Sequence, residues 1–324
     1  MKTDYTYAAA RIHVKELSLL TRADLEQLAG AADVRAALQL LSEKGWGDPE
    51  QELTAENMLR HEAEAAWEVV NDLEKDPAAL SVLKLGKDYH NLKAAVKQVY
   101  TGSSLPAERL FQPGGTLDAG VILKAVEEKD WELLPAPLAQ TAEEASVLLA
   151  HTGDGQLCDS LIDKACLGEL YRAGKASPEE VLQEYAVVTC AAANIRIALR
   201  AARSRRPLSF LLDSMLPMEE LDTKALAEAA YEGKDAVAEY LETTPFAALV
   251  PSLSGSMAAF EKSCDDLLIE HMKPQKNNSF TLGPLAAYLL ARENEIKCVR
   301  MILTGKQNHL PDEVLRESLR MTYV

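Results

Sequence analysis

Residues 87–102 read KDYHNLKAAVKQVYTG and residues 191–202 read AAANIRIALRAA. Both are runs of good helix formers interrupted by one poor one, Asn91 and Asn194. Each Asn stands directly before an apolar residue and a base. A solvated helix face would be served as well by Glu or Lys, which cost less in a helix interior. The pattern comes a third time in RENEIKCVRMILTG, where Glu295 takes the Asn position and Asn294 lies one residue early. From residue 91 to 194 is 103 residues, and from 194 to 295 is 101.

A second marker keeps the same period. Thr21 is the expected N-cap of a helix, with Asp24 three residues on and Leu25, Leu28 and Ala32 at helical spacing. Asp33 then opens a second helix carrying Val34, Ala37, Leu38 and Leu41, and Gly45 stops it. The resulting hairpin returns in LDAGVILKAVEEKDW, where Leu117 and Asp118 stand for Leu20 and Thr21, and Asp130 for Asp33. It returns again in LDTKALAEAAYEGKDAV, with Leu221, Asp222 and Asp235. The leucines at 20, 117 and 221 are 97 and 104 residues apart.

Two independent markers with one period of about 100 residues indicate three homologous helical modules. The expected boundaries are 1–110, 111–213 and 214–324, with junctions near SLPAERLFQPGG and SRRPLSFLLDS. Each repeat is large enough to hold a helical core of its own. Ala and Leu recur at a 3.6-residue period, aromatics are 6% of the chain, and alternating β-branched segments are few, so the fold class is all-α. An Asn at equivalent points of successive modules most simply reaches a neighbouring helix and fixes how the helices meet.

Composition removes several function classes. The chain has 324 residues, 48% of them hydrophobic, and a net charge of −16 that repels phosphate backbones, so nucleic acid is not an expected partner. Five cysteines, Cys158, Cys166, Cys190, Cys264 and Cys298, form no CxxC pair and suggest neither zinc site nor disulfide framework. A reducing cytoplasm fits. The first residues lack an apolar signal core, and no uninterrupted apolar run approaches the length of a membrane span.

Nucleotide and catalytic motifs are missing too. LTGKQ and LGKDY lack the earlier glycine and the following hydroxyl of a phosphate-binding loop, so no nucleotide is expected to bind directly. The six histidines form no i, i+4 pair. His151, Asp154 and Asp159 match no metal-ligand spacing and read as a solvated turn. Acid clusters such as EEKDWE and EKSCDDLLIE read as wet helix faces rather than paired catalytic carboxylates. No catalytic residue, cofactor or metal is expected.

One charge pattern carries more information. Lys93, Arg196 and Lys297 hold the same place in all three modules of an acidic chain. They face solvent or a helix C-terminus, or, if the modules surround a pseudo-threefold axis, they form a ring lining a cavity.

Taken in order and spacing, YAAARIHVKE with its short run to LLT, KDYHNLKAA, YAVVTCAAANIRIALR and AAYLLARENEIKCVRMILTGK resemble the C subunit of bacterial and archaeal V/A-type ATPases. In the eukaryotic V-ATPase its counterpart is the d subunit. The likeness covers nearly the whole chain, although each motif alone is weak. It implies a funnel of three similar helical modules, not an enzyme, lying on the cytoplasmic face of the membrane. It further implies one copy per complex, a socket that takes the central shaft of subunits D and F and sits on the proteolipid ring. Under that reading Lys93, Arg196 and Lys297 are candidates for the shaft interface. The weakly charged stretches TTPFAALVPSLSGSM (243–257) and LLPAPLAQ (133–140) are candidates for the ring, or packed linkers.

Two other classes fit parts of the sequence. A cytosolic helical repeat scaffold unrelated to a motor would share the repeats and the acidity, and would not pellet with membranes. An enzyme with an unfamiliar carboxylate site would need acids from different modules to converge in one pocket.

Overall fold

The computed structural model describes residues 5–74, 76, 78–102 and 110–324. Every regular element among them is a helix. In chain order these are α1 (Thr6–Glu16), α2 (Arg22–Ala29), α3 (Val34–Glu43), α4 (Ala55–Leu73), α5 (Leu85–Thr101), α6 (Ala119–Glu128), α7 (Ala136–Thr152) and α8 (Gly155–Ala176). They continue with α9 (Glu180–Ser204), α10 (Leu208–Ser214), α11 (Thr223–Glu232), α12 (Lys234–Glu242), α13 (Val250–Leu253), α14 (Met257–Met272), α15 (Gly283–Gln307) and α16 (Asp312–Ser318). The all-α reading of the sequence holds.

Packing gathers these helices into two compact units. One comprises residues 1–77, 178–188 and 241–324, the other 78–177 and 189–240. The core of the first joins Leu25, Leu28, Leu38 and Leu41 of the early hairpin to Ile296, Val299, Ile302 and Leu303 of α15. The core of the second joins Leu92, Ala95 and Val96 of α5 to Ile122 of α6, Leu138 and Leu149 of α7, and Ile162 of α8. The first of these cores draws on the first and third sequence periods, and the second on the first and second. The physical reason is that a two-helix hairpin has one apolar stripe, and a long helix from another period covers it.

Local chemistry explains the helix starts. Thr21 accepts from the Asp24 backbone N–H while Asp24 reaches back to Thr21 N, a complete capping box at α2. Asp118 and Asp222 cap α6 and α11 in the corresponding places. The second aspartate of each hairpin is less uniform. Asp33 caps α3 through Ala36 N at 2.8 Å. Asp130 instead precedes a short 3₁₀ turn and makes no side-chain cap, because Pro135 and Pro137 stand where a helix like α3 would continue. Asp235 lies inside the first turn of α12, after Gly233, whose φ of +144° makes the turn.

Helix α9 is long and apolar enough to cross a membrane by length and composition, with mean hydropathy 1.2 over its most apolar window. More than half of that window is buried, and Asn194 within it is fully buried, so the protein itself uses this apolar surface. The expected junction SLPAERLFQPGG falls partly outside the described residues. SRRPLSFLLDS forms the short α10 with Leu211 buried beneath it.

Candidate functional site

The signature asparagines act as fasteners. Asn91, 1% exposed on α5, donates its amide to the Gln112 carbonyl at 2.9 Å and accepts from the Gln112 N–H at 2.7 Å. Asn194, 0% exposed on α9, does the same to Leu216 at 2.8 and 2.9 Å. A side-chain amide is the one neutral group that can satisfy both polar atoms of a single extended residue at once. Glu or Lys could supply only half, which is why the costlier helix residue stands there. Gln112 and Leu216 each lie five residues before the leucine that opens the following hairpin, Leu117 and Leu221. The partner is thus the extended strap entering the next period, not the neighbouring helix that the sequence suggested.

In the third period the two tasks are divided. Asn294 donates to the Met321 carbonyl at 2.8 Å, and Asp266 of α14 accepts from the Met321 N–H at 2.5 Å. Glu295, in the signature position, accepts instead from the Leu20 N–H at the head of the first hairpin. Asp88 on α5 does comparable work at the second hairpin, holding Thr116 N at 2.8 Å, Thr116 Oγ1 at 2.5 Å and Leu117 N at 3.2 Å.

Glu295 belongs to a buried ionic cluster. The Arg292 guanidinium lies 2.9 Å from Glu295 and 3.3 Å from Glu62 on α4, and stacks over the Trp46 ring at 5.4 Å. Its Nη2 also donates to Ser18 Oγ, while Glu62 accepts from Gly47 N at 2.9 Å. Burial pushes the Glu295 carboxyl up to about 8, against the pull of Arg292 and the Leu20 N–H. Burial also works to lower the Arg292 pKa, but Glu295, Tyr288 and Glu62 more than offset it, and the guanidinium stays charged. Nothing in the sequence pattern joined positions 46, 62, 292 and 295. A base three residues before an acid in an apolar helix was the only local signal.

The three signature bases are placed as follows. Lys93 meets Asp163 of α8 at 2.6 Å, Lys297 meets Asp265 of α14 at 2.6 Å, and Arg196 lies half-buried on α9. Asp265 also receives Arg320 Nε at 2.6 Å, so the DD of EKSCDDLLIE anchors residues 320–321 through both of its acids. Asp154 caps α8, and Asp159 pairs with Lys97 at 2.7 Å. The five cysteines are free thiols; burial raises Cys166 and Cys190 to about 12. Of the two stretches considered for a ring contact, 243–257 turns Phe246, Leu249 and Leu253 inward, and 133–140 buries Leu134 and Leu138 while exposing Pro135 and Ala136.

These observations define a class: a helical framework built in periods, whose repeated polar residues spend their hydrogen bonds on its own connections. The sequence profile of the ATP synthase (C/AC39) subunit family matches residues 8–318, and the chain belongs to that family. It is 26% identical to the C subunit of the V-type ATP synthase of Thermus thermophilus, over 98% of this chain and 99% of that one. Identity is 23% to the C subunit of the V-type sodium ATPase of Enterococcus hirae, covering 82% and 81% of the two chains. It is 22% to the C subunit of the A-type ATP synthase of Methanocaldococcus jannaschii, covering 97% and 86%.

Proposed function

We propose that this chain is the non-catalytic rotor adaptor of a V/A-type rotary ATPase. In this reading it rests peripherally on the cytoplasmic face of the membrane, seats on the proteolipid ring, receives the shaft subunits D and F, and transmits torque between them. The single observation that carries the proposal is similarity along most of the chain to the C subunits of three such complexes.

The fasteners support the mechanical part. A torque coupler must not let its repeats slide, and α5 and α9 each grip the backbone that leads into the next hairpin. The last long helix, α15, grips the head of the first hairpin through Glu295. Stiffness then comes from close packing and from satisfied buried polar groups rather than from any catalytic residue.

The shaft interface is proposed at Lys93, Arg196 and Lys297. Two of these already hold aspartates, so their charge is partly offset, and an acidic shaft would have to compete with Asp163 and Asp265. Replacing all three with Glu is expected to weaken binding of a purified D–F shaft by about ten-fold or more, with Gln replacements giving a smaller loss and reporting on folding. Unchanged shaft affinity in both sets would remove these bases from the interface.

A further inference from the structure

Between Glu184 and Asp213 the chain carries five arginines, at 196, 200, 203, 205 and 206, with no acid and no lysine among them. Arg200, Arg203, Arg205 and Arg206 are all exposed, on the last turns of α9 and its link to α10, within one compact unit. In a chain of net charge −16 this end is an island of the opposite sign. Screening over about 8 Å at physiological salt lets such an island act on its own, whatever the charge of the remainder.

Bases near a helix C-terminus are ordinary, because they answer the dipole within the last turn. Arg205 and Arg206 lie beyond that turn. The Arg206 N–H reaches back to the Ala201 carbonyl at 3.3 Å, and Arg205 has φ +49°. This is the Schellman closure, whose left-handed residue is usually glycine, so an arginine there carries backbone strain that glycine would avoid. A side chain kept at such a position points to a use outside the fold. Among the described residues no carboxylate pairs with Arg203, Arg205 or Arg206. Acids of the same unit are engaged elsewhere: Asp159 by Lys97, Asp163 by Lys93 and Glu220 by Lys175. Asp213, the first acid after the cluster, is exposed, and its backbone carbonyl accepts from Lys164, a further base at this end.

The bases have apolar neighbours. Arg206 lies over the Phe210 ring at 5.2 Å, and Phe210 and Leu212 of α10 remain 37% and 43% exposed. A row of carboxylates on a partner protein would meet the charges and leave these side chains in water. An anionic lipid surface takes both, offering phosphates to the guanidinium forks and the headgroup boundary to the ring. Clusters of roughly four or more bases mark attraction to such surfaces.

We infer that the 200–212 end is a contact for the phosphate headgroups of anionic lipids, with Arg203, Arg205 and Arg206 on phosphates and Phe210 at the headgroup boundary. Access to a membrane in the cell rests on the cytoplasmic-face reading above. Vesicle binding by the full chain on its own does not, so the two can fail separately.

The test floats the full chain with phosphatidylcholine vesicles and with vesicles that also contain phosphatidylglycerol. The expected result is binding at least about ten-fold tighter to the second, weakening as salt rises. Arg203→Gln/Arg205→Gln/Arg206→Gln should remove that preference. Arg205→Gly should raise the melting temperature while weakening binding by about five-fold, a pairing that a purely structural role for the side chain would not give. Phe210→Ala, with its fold checked by circular dichroism, should also weaken binding by about five-fold. Equal binding to both vesicles, binding to neither, or a triple variant or Arg205→Gly protein that floats like the parent would overturn the inference. So would indifference to Phe210→Ala, because charge alone would then make the patch, as it would for an acidic protein partner.

Discussion

Replacing Arg292 with Ala is expected to destabilise the protein by about 3–5 kcal/mol, the cost of stripping the shared cation from a buried ionic cluster. Glu62 would be left with one backbone N–H as its compensation, and Glu295 would lose the guanidinium at 2.9 Å. The Trp46 ring would lose its cation as well. Chemical denaturation read by circular dichroism measures this directly, and a loss under about 1 kcal/mol would mean the site relaxes or admits water. The same cluster sets a pH dependence. The carboxyl of Glu295 is raised from 4.5 to about 8, so its favourable contribution is complete below pH 4.5 and is lost as pH rises through 8. Between those values one extra proton is bound by the folded state, and stability falls by at most about 1.4 kcal/mol per pH unit. Glu295→Gln retains an acceptor for the Leu20 N–H and has no proton to lose. Its stability relative to the parent should therefore improve between pH 5 and pH 8. A difference that stays constant over that range would contradict the proton-holding role.

Asn194→Ala is expected to cost roughly 2–4 kcal/mol, since it removes both bonds to Leu216, along with a weak one to Met218 Sδ, and leaves both polar atoms of Leu216 to find other partners. Asn91→Ala should behave alike at Gln112. Asn294→Ala should cost about half as much, because Asp266 still holds the Met321 N–H. The ranking is the informative part: equal losses at all three positions would show that the division of labour in the third period has no energetic meaning. Asn194→Asp is a sharper variant. It keeps the acceptor for Leu216 N but turns a buried negative oxygen toward the Leu216 carbonyl, so it should be no better tolerated than Ala.

The recurring helix caps were legible in the sequence because each rests on local chemistry. Thr21, Asp118 and Asp222 cap helices through backbone groups two or three residues away, and spacing alone reveals such caps. The asparagines were legible as structural, since a helix-interior amide is costly unless something uses it. Their partners were not, because Gln112 and Leu216 carry no side-chain signal in those bonds; only their backbones take part. The third period hid its fastener by splitting it between Asn294 and Asp266, which lie on different helices. Asp130 misled for a different reason: its place in the period is right, but Pro135 and Pro137 prevent the α3-like helix it would have capped. The Arg292 cluster was invisible because Glu62 and Arg292 are 230 residues apart in the chain and meet only after folding.

We propose that this chain turns with the shaft. A bead attached to it in the assembled ATPase, with the catalytic head fixed to a surface, should rotate continuously in one direction when ATP is added. A bead that stays still while a second bead on the shaft itself turns would place the chain in the stationary part of the machine and contradict the adaptor role.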